Sequence, residues 1–473
     1  MSDVILDAFD GPTIPVQALT EAETGPALDA IPAGGKAFAA LSEFKGKAGQ
    51  MLLVPGADGA PANVLFGLGA GGDPMAFRTL AGRLPAGTYK LGTTPKEMTG
   101  DQAALAFALG SYRFDRYKAH GAERARLVVE GIDAAEVRQV AHACALARDM
   151  INTPANDMGP LQIETIAREI AEQHGAKIAV VTGEALLSEN YPAVHAVGRA
   201  ADPARGPRMI EITWGGSGGG SGDGGGKGKP LVCLVGKGVV FDTGGLDIKP
   251  SAGMRQMKKD MGGAAHALAL GRMIMAAKLP VRLVILTPVV ENAISGDAMR
   301  PGDVLASRKG LSIEVGNTDA EGRLILADAL TRAGELEPAL TIDLATLTGA
   351  ARVALGPQLP PFYTDDEGLA AEIERAAKSQ ADPVWRMPLW KGYIDALDSD
   401  VAEIKNDPDA WAQAGSVTAA LFLQRFAPAG PNCGPWAHFD IFAWNPRNRP
   451  GHPAGAEVQA IRGLYRVIRD RFA

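Results

Sequence analysis

Ionisable residues of this 473-residue chain concentrate in three short segments. They are VGKGVVFDTGGLDIKP (235–250), MKKDMGG (257–263) and GNTDAEGRLILAD (316–328). All three lie at the ends of predicted strands, where open α/β sheets bind their ligands. Carboxylates that converge without enough cationic partners repel one another, and bound dications are the usual remedy. The combination therefore predicts a metal site built from oxygen ligands.

Taken singly, each of these residues also has an ordinary structural interpretation. Asp319 lies where a helix N-cap would be, and Asp242 before Thr-Gly-Gly is typical of a turn. Asp260 beside two lysines is typical of a solvated helix start, and Lys249 before Pro250 is typical of plain surface. The metal hypothesis therefore depends on the three segments together.

Other catalytic chemistries have weaker support. The seven histidines form no HExxH pair and no cluster with cysteine, so a zinc site built on imidazole is not indicated. No GxSxG segment opens a helix, so a catalytic serine is not indicated either. Oxygen ligands would then dominate the site, and such a site suits Mn, Mg, Co or Zn.

A glycine-rich stretch, GGSGGGSGDGGGKGKP (215–230), resembles a phosphate-binding loop in composition only. Ser221 occupies the position of the first glycine, and Pro230 follows Lys229 where a hydroxyl residue is required. Lys237 does not fit the pattern either, because Leu231 stands at its first glycine position. We expect the stretch to be a flexible surface loop between two strands.

The elements that would position these residues alternate between strands and helices. Short apolar runs (KIAVV, MIEITW, LVCLV, VRLVILTPVV and LTIDLAT) are separated by Ala-rich helical stretches such as 263–277 and 320–334. Continuous apolar strands between helices indicate a sheet covered on both faces. The sequence therefore predicts an α/β fold with a mixed central sheet and helices on both faces.

The N-terminal part of the chain has a different pattern. Residues 1–135 mix short apolar runs with Gly and Pro turns and one helical stretch at 101–117. We expect a small N-terminal α/β domain without a chemical motif. A helix at about 136–150 would link it to a larger catalytic α/β domain over 136–473, and the segment INTPAND would end that helix.

The bulk composition limits the classes of function. Hydrophobic residues make up 46% of the chain and charged residues 21%, which is typical of soluble domains and unlike a membrane protein. The first residues are acidic and lack a long apolar run, and three widely spaced cysteines favour free thiols, so we expect a cytoplasmic protein. A net charge of -7 gives no electrostatic reason to expect nucleic-acid binding.

The three segments carry a close resemblance to a known family. VGKGVVFDTGGLDIKP, MKKDM and NTDAEGRL resemble the signature segments of the leucyl aminopeptidase (cytosol aminopeptidase) family. The intervals between them are similar, as are INTPAND, DLATLTGA, WRMPLW, GSVTAALFL and WAHFDI. The resemblance covers most of the chain from about residue 135, whereas the first 135 residues resemble the family only loosely.

The resemblance implies a metallo-aminopeptidase that removes N-terminal residues from peptides, leucine and other apolar residues above all. A water activated by two divalent ions per subunit, Mn or Zn with Mg or Co as further options, would attack the scissile carbonyl. The implied metal ligands are Lys237, Asp242, Asp260, Asp319 and Glu321. Asp242 and Glu321 would bridge the metals. Lys237 could bind a metal only as a neutral amine, with its pKa depressed by the dications.

The resemblance also implies roles for residues that bind no metal. Lys249 and Arg323 would be catalytic, and Arg323 would hold a bicarbonate ion that takes the proton. The implied substrate pocket consists of Met257, Asn317, Thr346, Leu347 and Gly349. Departures from the pattern, WAQA before GSVTAALFL and FAW after WAHFDI, would reshape that pocket.

The implied assembly is a homohexamer, made as a dimer of trimers. Two other functions stay open at this point. Some relatives combine peptidase and DNA-binding roles, although the acidic net charge argues against nucleic acid as a partner here. A dinuclear phosphoesterase would use similar carboxylates.

Overall fold

The computed structural model describes residues 4–119, 121, 123–215, 228–408 and 410–473. Most of the glycine-rich stretch 215–230 lies outside the described residues. The chain forms two compact units. The first comprises Met1–Ala145 and Asn445–Gly455, and the second comprises Leu146–Trp444 and Ala456–Ala473.

The strands of the described residues are β1 (Ile5–Leu6), β2 (Ile14–Thr20), β3 (Met51–Pro55), β4 (Pro61–Gly69), β5 (Gly87–Leu91), β6 (Ala125–Val128), β7 (Lys177–Thr182), β8 (Arg208–Trp214), β9 (Leu231–Gly236), β10 (Gly238–Asp242), β11 (Arg282–Asn292), β12 (Val304–Ala306), β13 (Ser312–Glu314), β14 (Leu340–Ala345), β15 (Pro361–Tyr363), β16 (Trp385–Arg386), β17 (Ile404–Lys405), β18 (Trp436–Asp440), β19 (Trp444–Asn445) and β20 (Gly455–Ala456).

The α-helices of the same residues are α1 (Thr24–Ala30), α2 (Ala33–Leu41), α3 (Arg78–Ala81), α4 (Gly100–Gly110), α5 (Ala134–Asn152), α6 (Pro160–His174), α7 (Ala185–Ser188), α8 (Pro192–Gly198), α9 (Ser251–Met254), α10 (Gly262–Ala276), α11 (Glu321–Gly334), α12 (Gly349–Leu355), α13 (Glu367–Ser379), α14 (Gly415–Gln424) and α15 (Ile461–Phe472). In the described part of the chain, no helix has the length and apolar character needed to cross a lipid bilayer.

The first unit is built on one sheet with the strand order β1-β6-β5-β2-β4-β3. Neighbouring strands run parallel except β3 and β4, which are antiparallel. Alternation along β2 turns Val16 and Ala18 into the core, as expected where one face of a strand is buried. The predicted small α/β domain is confirmed.

Helix α4 is shorter than the helical stretch predicted at 101–117. It begins after Thr99, whose side chain and that of Gln102 form a reciprocal capping box. It ends at Gly110, because the Ser111 hydroxyl donates to the Ala108 carbonyl and closes the last turn. The residues that follow form no helix.

The second unit contains a large mixed sheet. Its order is β16-β15-β18-β14-β9-β11-β8-β7. Strand β9 pairs with the first half of β11, and β10 pairs with the last residues of β11. The central strands β18, β14, β9 and β11 run parallel. Strands β8 and β7 continue one side in antiparallel register, and β15 joins β18 antiparallel on the other. The mixed sheet predicted from the sequence is confirmed.

Helices cover this sheet on both faces. Every residue of β9 is buried, and successive residues of a strand point to opposite faces. Cys233 and Val235 pack in one core with Leu326 of α11. Ile285 of β11 points the other way and lies against Gly271 of α10, where a side chain would have no room. Burial on both faces explains why these strands are continuous apolar runs.

The ends of strands β9, β10 and β14 carry the polar residues. Lys237 follows β9, Asp242 ends β10 and Thr346 follows β14. The backbone N–H of Lys237 donates to the carbonyl of Leu344 at 3.0 Å, and this bond holds the ends of β9 and β14 together. A small sheet, β12-β13-β17, lies apart from the large one, and the chain leaving β13 forms the turn 316–320 that enters α11.

Candidate metal centre

Three carboxylates converge at the end of β10 and the start of α11. Asp242, Asp319 and Glu321 each offer an oxygen, and these oxygens lie within 4.8 Å of one another. Asp242 and Glu321 are buried, and Asp319 is about one-third exposed. Carboxylates at this separation repel one another strongly in a buried site, so the arrangement calls for cations.

Lys237 connects this cluster to a fourth carboxylate. Its Nζ lies 2.9 Å from Asp260 Oδ2, 2.9 Å from Glu321 Oε1 and 3.0 Å from the Thr346 carbonyl. Burial lowers the pKa of Lys237, but the carboxylates of Asp260 and Glu321 outweigh it and raise the pKa above its ordinary value. Without metals this side chain is therefore an ammonium ion. It must lose a proton before it can bind a metal ion.

Lys249 neutralises the other side of the cluster. Its Nζ lies 2.8 Å from Asp242 Oδ2 and forms an ion pair with Asp319. Here too burial lowers the pKa, and the negative charge of Asp242 outweighs that effect and raises it. The loop leading to Lys249 turns at Gly244 and Gly245, both with positive φ, which glycine adopts without strain.

The carboxyl groups themselves respond to crowding. Burial and repulsion from Asp242 raise the pKa of Glu321 to about 8. The same two causes raise the pKa of Asp319 to about 6. Four carboxylates form ion pairs with only two ammonium groups, those of Lys237 and Lys249, which leaves a surplus of negative charge among the paired groups when all are ionised. Such a surplus in a buried site fits divalent cations.

Glu321 gives the clearest test of that fit. It is fully buried, and its Oε2 has no hydrogen-bond partner among the residues that the structure describes. A buried carboxylate oxygen without a partner is strongly unfavourable unless an ion binds it. The oxygen-rich donor set with one amine also suits Mn or Zn. The residues present therefore fit a metal site.

Asp260 comes from the start of a different helix. The short 3-10 helix Met257–Lys259 leads into it, and α10 follows. Its Oδ1 accepts a hydrogen bond from the Thr346 hydroxyl at 2.8 Å. Burial raises the pKa of Asp260, but the positive charges of Lys237 and Lys259 outweigh it and lower the pKa. Asp260 therefore stays an anion facing Lys237.

Arg323 lies in the first turn of α11 and is almost fully buried. Its Nη1 donates to the Asn406 carbonyl at 2.5 Å. Its other N–H groups have no hydrogen-bond partner among the described residues. Burial lowers its pKa, although a guanidinium stays charged at any ordinary pH. A buried cation with unused planar donors fits a small oxyanion such as bicarbonate.

The five pocket residues expected from the resemblance lie on three segments, two of which also carry proposed ligands. Met257 begins the 3-10 helix, and Gly349 begins α12. Asn317 Oδ1 accepts a hydrogen bond from the backbone N–H of Asp319 at 2.8 Å, and the Thr346 hydroxyl donates to Asp260 Oδ1. The backbone N–H of Leu347 donates to Asp440 Oδ1 at 2.9 Å. Asn317 and Thr346 thus contact ligand-bearing residues directly, and the substrate contacts of all five stay a prediction.

The ordinary interpretations of two ligands have different outcomes. Asp319 is not an N-cap, because Ala320 occupies that position and no side chain caps the helix. The Asp319 carboxylate is turned to Lys249 instead. Asp242 does form a turn, since its Oδ1 accepts from the Gly244 N–H at 2.9 Å. Its other oxygen still faces the cluster.

Sequence reasoning missed several residues that hold the site together. Asn292 ends β11 and donates to Asp242 Oδ1 at 2.8 Å and to the Thr318 carbonyl at 3.1 Å. The buried Thr318 hydroxyl donates to the Gly244 carbonyl, and Asp247 accepts from the Thr318 backbone. Asn292 could have been found as a polar residue at a strand end. Thr318 and Asp247 lie inside the signature segments but offered no separate signal.

Comparison with protein families identifies similar domains. Residues 145–465 match the catalytic domain of the cytosol aminopeptidase family, and residues 14–130 match the M17 aminopeptidase N-terminal domain. A probable cytosol aminopeptidase of Syntrophotalea carbinolica is 39% identical over 461 residues, which cover 90% of each chain. One from Geobacter sp. is 37% identical over 469 residues, 92% of this chain and 91% of the relative.

Solved structures give the same picture. The cytosol aminopeptidase from Coxiella burnetii matches with a TM-score of 0.91 and 42% identity, covering 100% of both chains. The bottromycin maturation enzyme BotP in complex with Mn matches with a TM-score of 0.84 and 31% identity, again over 100% of both chains. The similarity therefore extends over both units of the chain.

Proposed function

Since this chain belongs to the cytosol aminopeptidase family and is a metal-dependent aminopeptidase, we propose that its carboxylate cluster holds two divalent cations, with which it removes leucine and other apolar residues from the N-termini of peptides. The observation that supports this most directly is the buried Glu321 carboxylate. It lies within 4.8 Å of two other carboxylates and has one oxygen without a partner among the described residues.

We propose the five ligands expected from the sequence as the residues that hold the cations. Asp242 and Glu321 would serve both cations, Asp319 one of them, and Lys237 and Asp260 the other. Mn, Zn, Mg and Co are the candidate ions, and a solved relative is described as a complex with Mn. Bound there, two cations would supply the acidity that activates a water, polarise the scissile carbonyl and hold the free α-amine of the substrate.

Lys249 is the residue that we propose for stabilising charge on the reacting carbonyl oxygen. Ion pairs with Asp242 and Asp319 already hold its ammonium group beside the cluster, and 15% of the side chain is exposed. Preorganised charge in a partly dehydrated site acts most strongly where negative charge develops in the transition state. The Lys249 ammonium group can therefore donate a hydrogen bond to the reacting carbonyl oxygen from the position that it already occupies.

Arg323 is the residue that we propose for binding bicarbonate. Its contact with the Asn406 carbonyl fixes one edge of the guanidinium, and its other donors have no partner among the described residues. Two of those donors match the planar oxygens of the ion. A bicarbonate ion bound there would supply the base that accepts a proton, which a guanidinium cannot do itself.

The proposed function is tested by aminoacyl amides and metal readdition. Protein stripped by a chelator should lose activity and recover it with one or more of Mn, Zn, Mg and Co, and a leucyl amide should be a preferred substrate. Phosphate esters should be inert, which separates the proposal from a dinuclear phosphoesterase. Activity unchanged by chelation would contradict it.

Replacing Glu321 provides the matching mutational test. Glu321→Ala removes a carboxylate from the centre of the cluster, so we expect turnover to be abolished and metal binding to weaken. Glu335→Ala removes a carboxylate at the far end of the same helix and serves as the control, with activity retained. Full activity of Glu321→Ala would overturn the assignment.

Location and assembly are part of the same proposal. We propose a cytoplasmic homohexamer, built as a dimer of trimers and acting on peptides; the location is supported by relatives described as cytosol aminopeptidases. Sedimentation as a monomer would contradict the assembly without affecting the chemistry. A DNA-binding role has no support from the net charge of -7, and a salt-dependent shift of duplex DNA would be needed to revive it.

A further inference from the structure

Asn406 is a fully buried residue that meets the metal-binding turn from a distant part of the chain. It directly follows β17, which pairs in parallel with β13. Its backbone N–H continues that pairing by donating to the Glu314 carbonyl at 3.0 Å. Because the turn 316–320 leaves β13 at this point, the register places the Asn406 side chain against the turn.

The Asn406 side chain makes four hydrogen bonds to the backbone of that turn. Its Oδ1 accepts from the N–H groups of Gly316 at 2.8 Å and Asn317 at 3.2 Å. Its Nδ2 donates to the carbonyls of Asn317 at 2.8 Å and Ala320 at 3.2 Å. An asparagine amide offers two donors and one oxygen with two lone pairs, so its whole capacity is used.

The turn itself leaves no backbone N–H without an acceptor. Thr318 donates to Asp247, Asp319 donates to the Asn317 side chain, and Ala320 donates to the Asn317 carbonyl. Together with the two bonds to Asn406, these account for every N–H from 316 to 320. The backbone conformation that presents Asp319, and Glu321 as the first residue after the turn, is therefore fixed by hydrogen bonds.

We propose that Asn406 is a positioning residue of the metal centre, which orients the carboxylates of Asp319 and Glu321 through the backbone of the turn that carries them. This inference rests on the proposed two-cation function. The four hydrogen bonds of its side chain go to the backbone of the turn and to none of the five proposed ligands. Lys237 and Asp260 lie on other segments, so loss of the Asn406 amide should disturb the two metal positions unequally.

The test measures metal binding in metal-free protein prepared with a chelator. Mn²⁺ is titrated by calorimetry into wild type, Asn406→Ala and Asn406→Asp. The aspartate keeps the shape and the accepting oxygen but has a second oxygen in place of the NH₂ group, so both donors are lost. Asn445→Ala is the control, since the buried Asn445 amide likewise donates to two turn carbonyls, those of His452 and Pro453, in a segment without proposed ligands. Thermal unfolding with chelator present measures the stability of each variant.

We expect both Asn406 variants to lose about 10- to 100-fold in Mn²⁺ affinity, as for other residues that support metal ligands. Of the two Mn²⁺ binding events, the one at the position that includes Asp319 should weaken more than the one at the position that includes Lys237 and Asp260. Asn445→Ala should keep wild-type affinity even where its unfolding temperature falls as much. Turnover should fall in kcat at saturating Mn²⁺, because the carboxylates stay misaligned.

Wild-type affinity in both Asn406 variants would overturn the inference and assign the residue to the fold alone. An equal loss in Asn445→Ala would overturn it as well, and so would failure of both Asn406 variants to fold while Asn445→Ala folds. Wild-type protein that binds no Mn²⁺ would instead overturn the proposed function, and this inference with it.

Discussion

Gly322, the second residue of α11, leaves the space through which Lys237 reaches the carboxylates. A Cβ on Gly322 would lie 2.5 Å from Lys237 Cε and 2.7 Å from its Nζ. Carbon atoms in contact are about 3.5–4.0 Å apart, so Gly322→Ala would force the end of Lys237 to withdraw by about 1 Å. It cannot withdraw freely, because it is buried between Asp260 and Glu321 and bonded to the Thr346 carbonyl.

Two effects of opposite sign decide the outcome of this substitution. Alanine is favoured over glycine within a helix by up to about 1 kcal/mol, so the fold should not lose stability through helix propensity. The displaced amine disturbs both Asp260 and Glu321. Perturbing residues that orient a metal site lowers affinity by about 10- to 100-fold, which corresponds to about 1.4–2.7 kcal/mol. We therefore expect a folded protein with weakened metal binding.

Three measurements on Gly322→Ala separate these effects. Urea unfolding in chelator should show a fold destabilised by no more than about 1–3 kcal/mol, the usual cost of overpacking a buried site, whereas calorimetric Mn²⁺ affinity and turnover of a leucyl amide should both fall. Gly334→Ala is the control at the other end of α11, where the nearest atom to an added Cβ is Pro428 Cα at 3.4 Å. Wild-type Mn²⁺ affinity and turnover in Gly322→Ala would refute the reasoning.

Two further predictions concern the Lys249 ammonium group and a buried imidazole. Lys249→Met keeps the bulk but removes the charge, so kcat should fall by about 10²- to 10³-fold with Mn²⁺ affinity retained; an unchanged kcat would contradict its role. His266 is neutral, since its Nδ1 lies 2.6 Å from the Gly262 carbonyl and its Nε2 accepts from the Gln459 N–H, and burial lowers its pKa to about 4. Because the folded pKa lies below the ordinary 6.5, its contribution to stability is complete above pH 6.5 and is lost towards pH 4, by about 3 kcal/mol. Urea unfolding between these pH values should show a shallower pH dependence in His266→Gln.

The segments that carry the ligands could be predicted because their signals are local. An apolar run of strand length ends just before Lys237, and another ends at Asp242. The helix predicted at 320–334 begins one residue later, at Glu321. That single residue decides whether Asp319 caps the helix or faces Lys249. Local periodicity locates a helix but does not fix its first residue.

The supporting residues could not be predicted because their partners are distant in sequence. Asn406 is 90 residues from Gly316, and Asn292 is 50 residues from Asp242. Neither asparagine has a local pattern that distinguishes it from a turn residue, since the register of β17 on β13 decides where Asn406 points. The return of residues 445–455 to the first unit likewise has no signal in composition.

The protonation state of Lys237 depends on whether metals are bound. The resemblance implies a neutral amine beside two dications, and without metals the surrounding carboxylates raise the pKa of Lys237. The sign of the shift depends on which charges lie within a few ångströms, and only the folded geometry gives those distances.

The order of these elements along the chain has a consequence for biosynthesis. All five proposed ligands leave the ribosome before strands β17 and β18. Strand β17 precedes Asn406, which forms hydrogen bonds to the turn 316–320, and β18 pairs with β14 in the central sheet. A nascent chain that already displays every ligand thus lacks the strands that arrange them. The proposed metal centre can therefore be completed only after most of the chain has been translated.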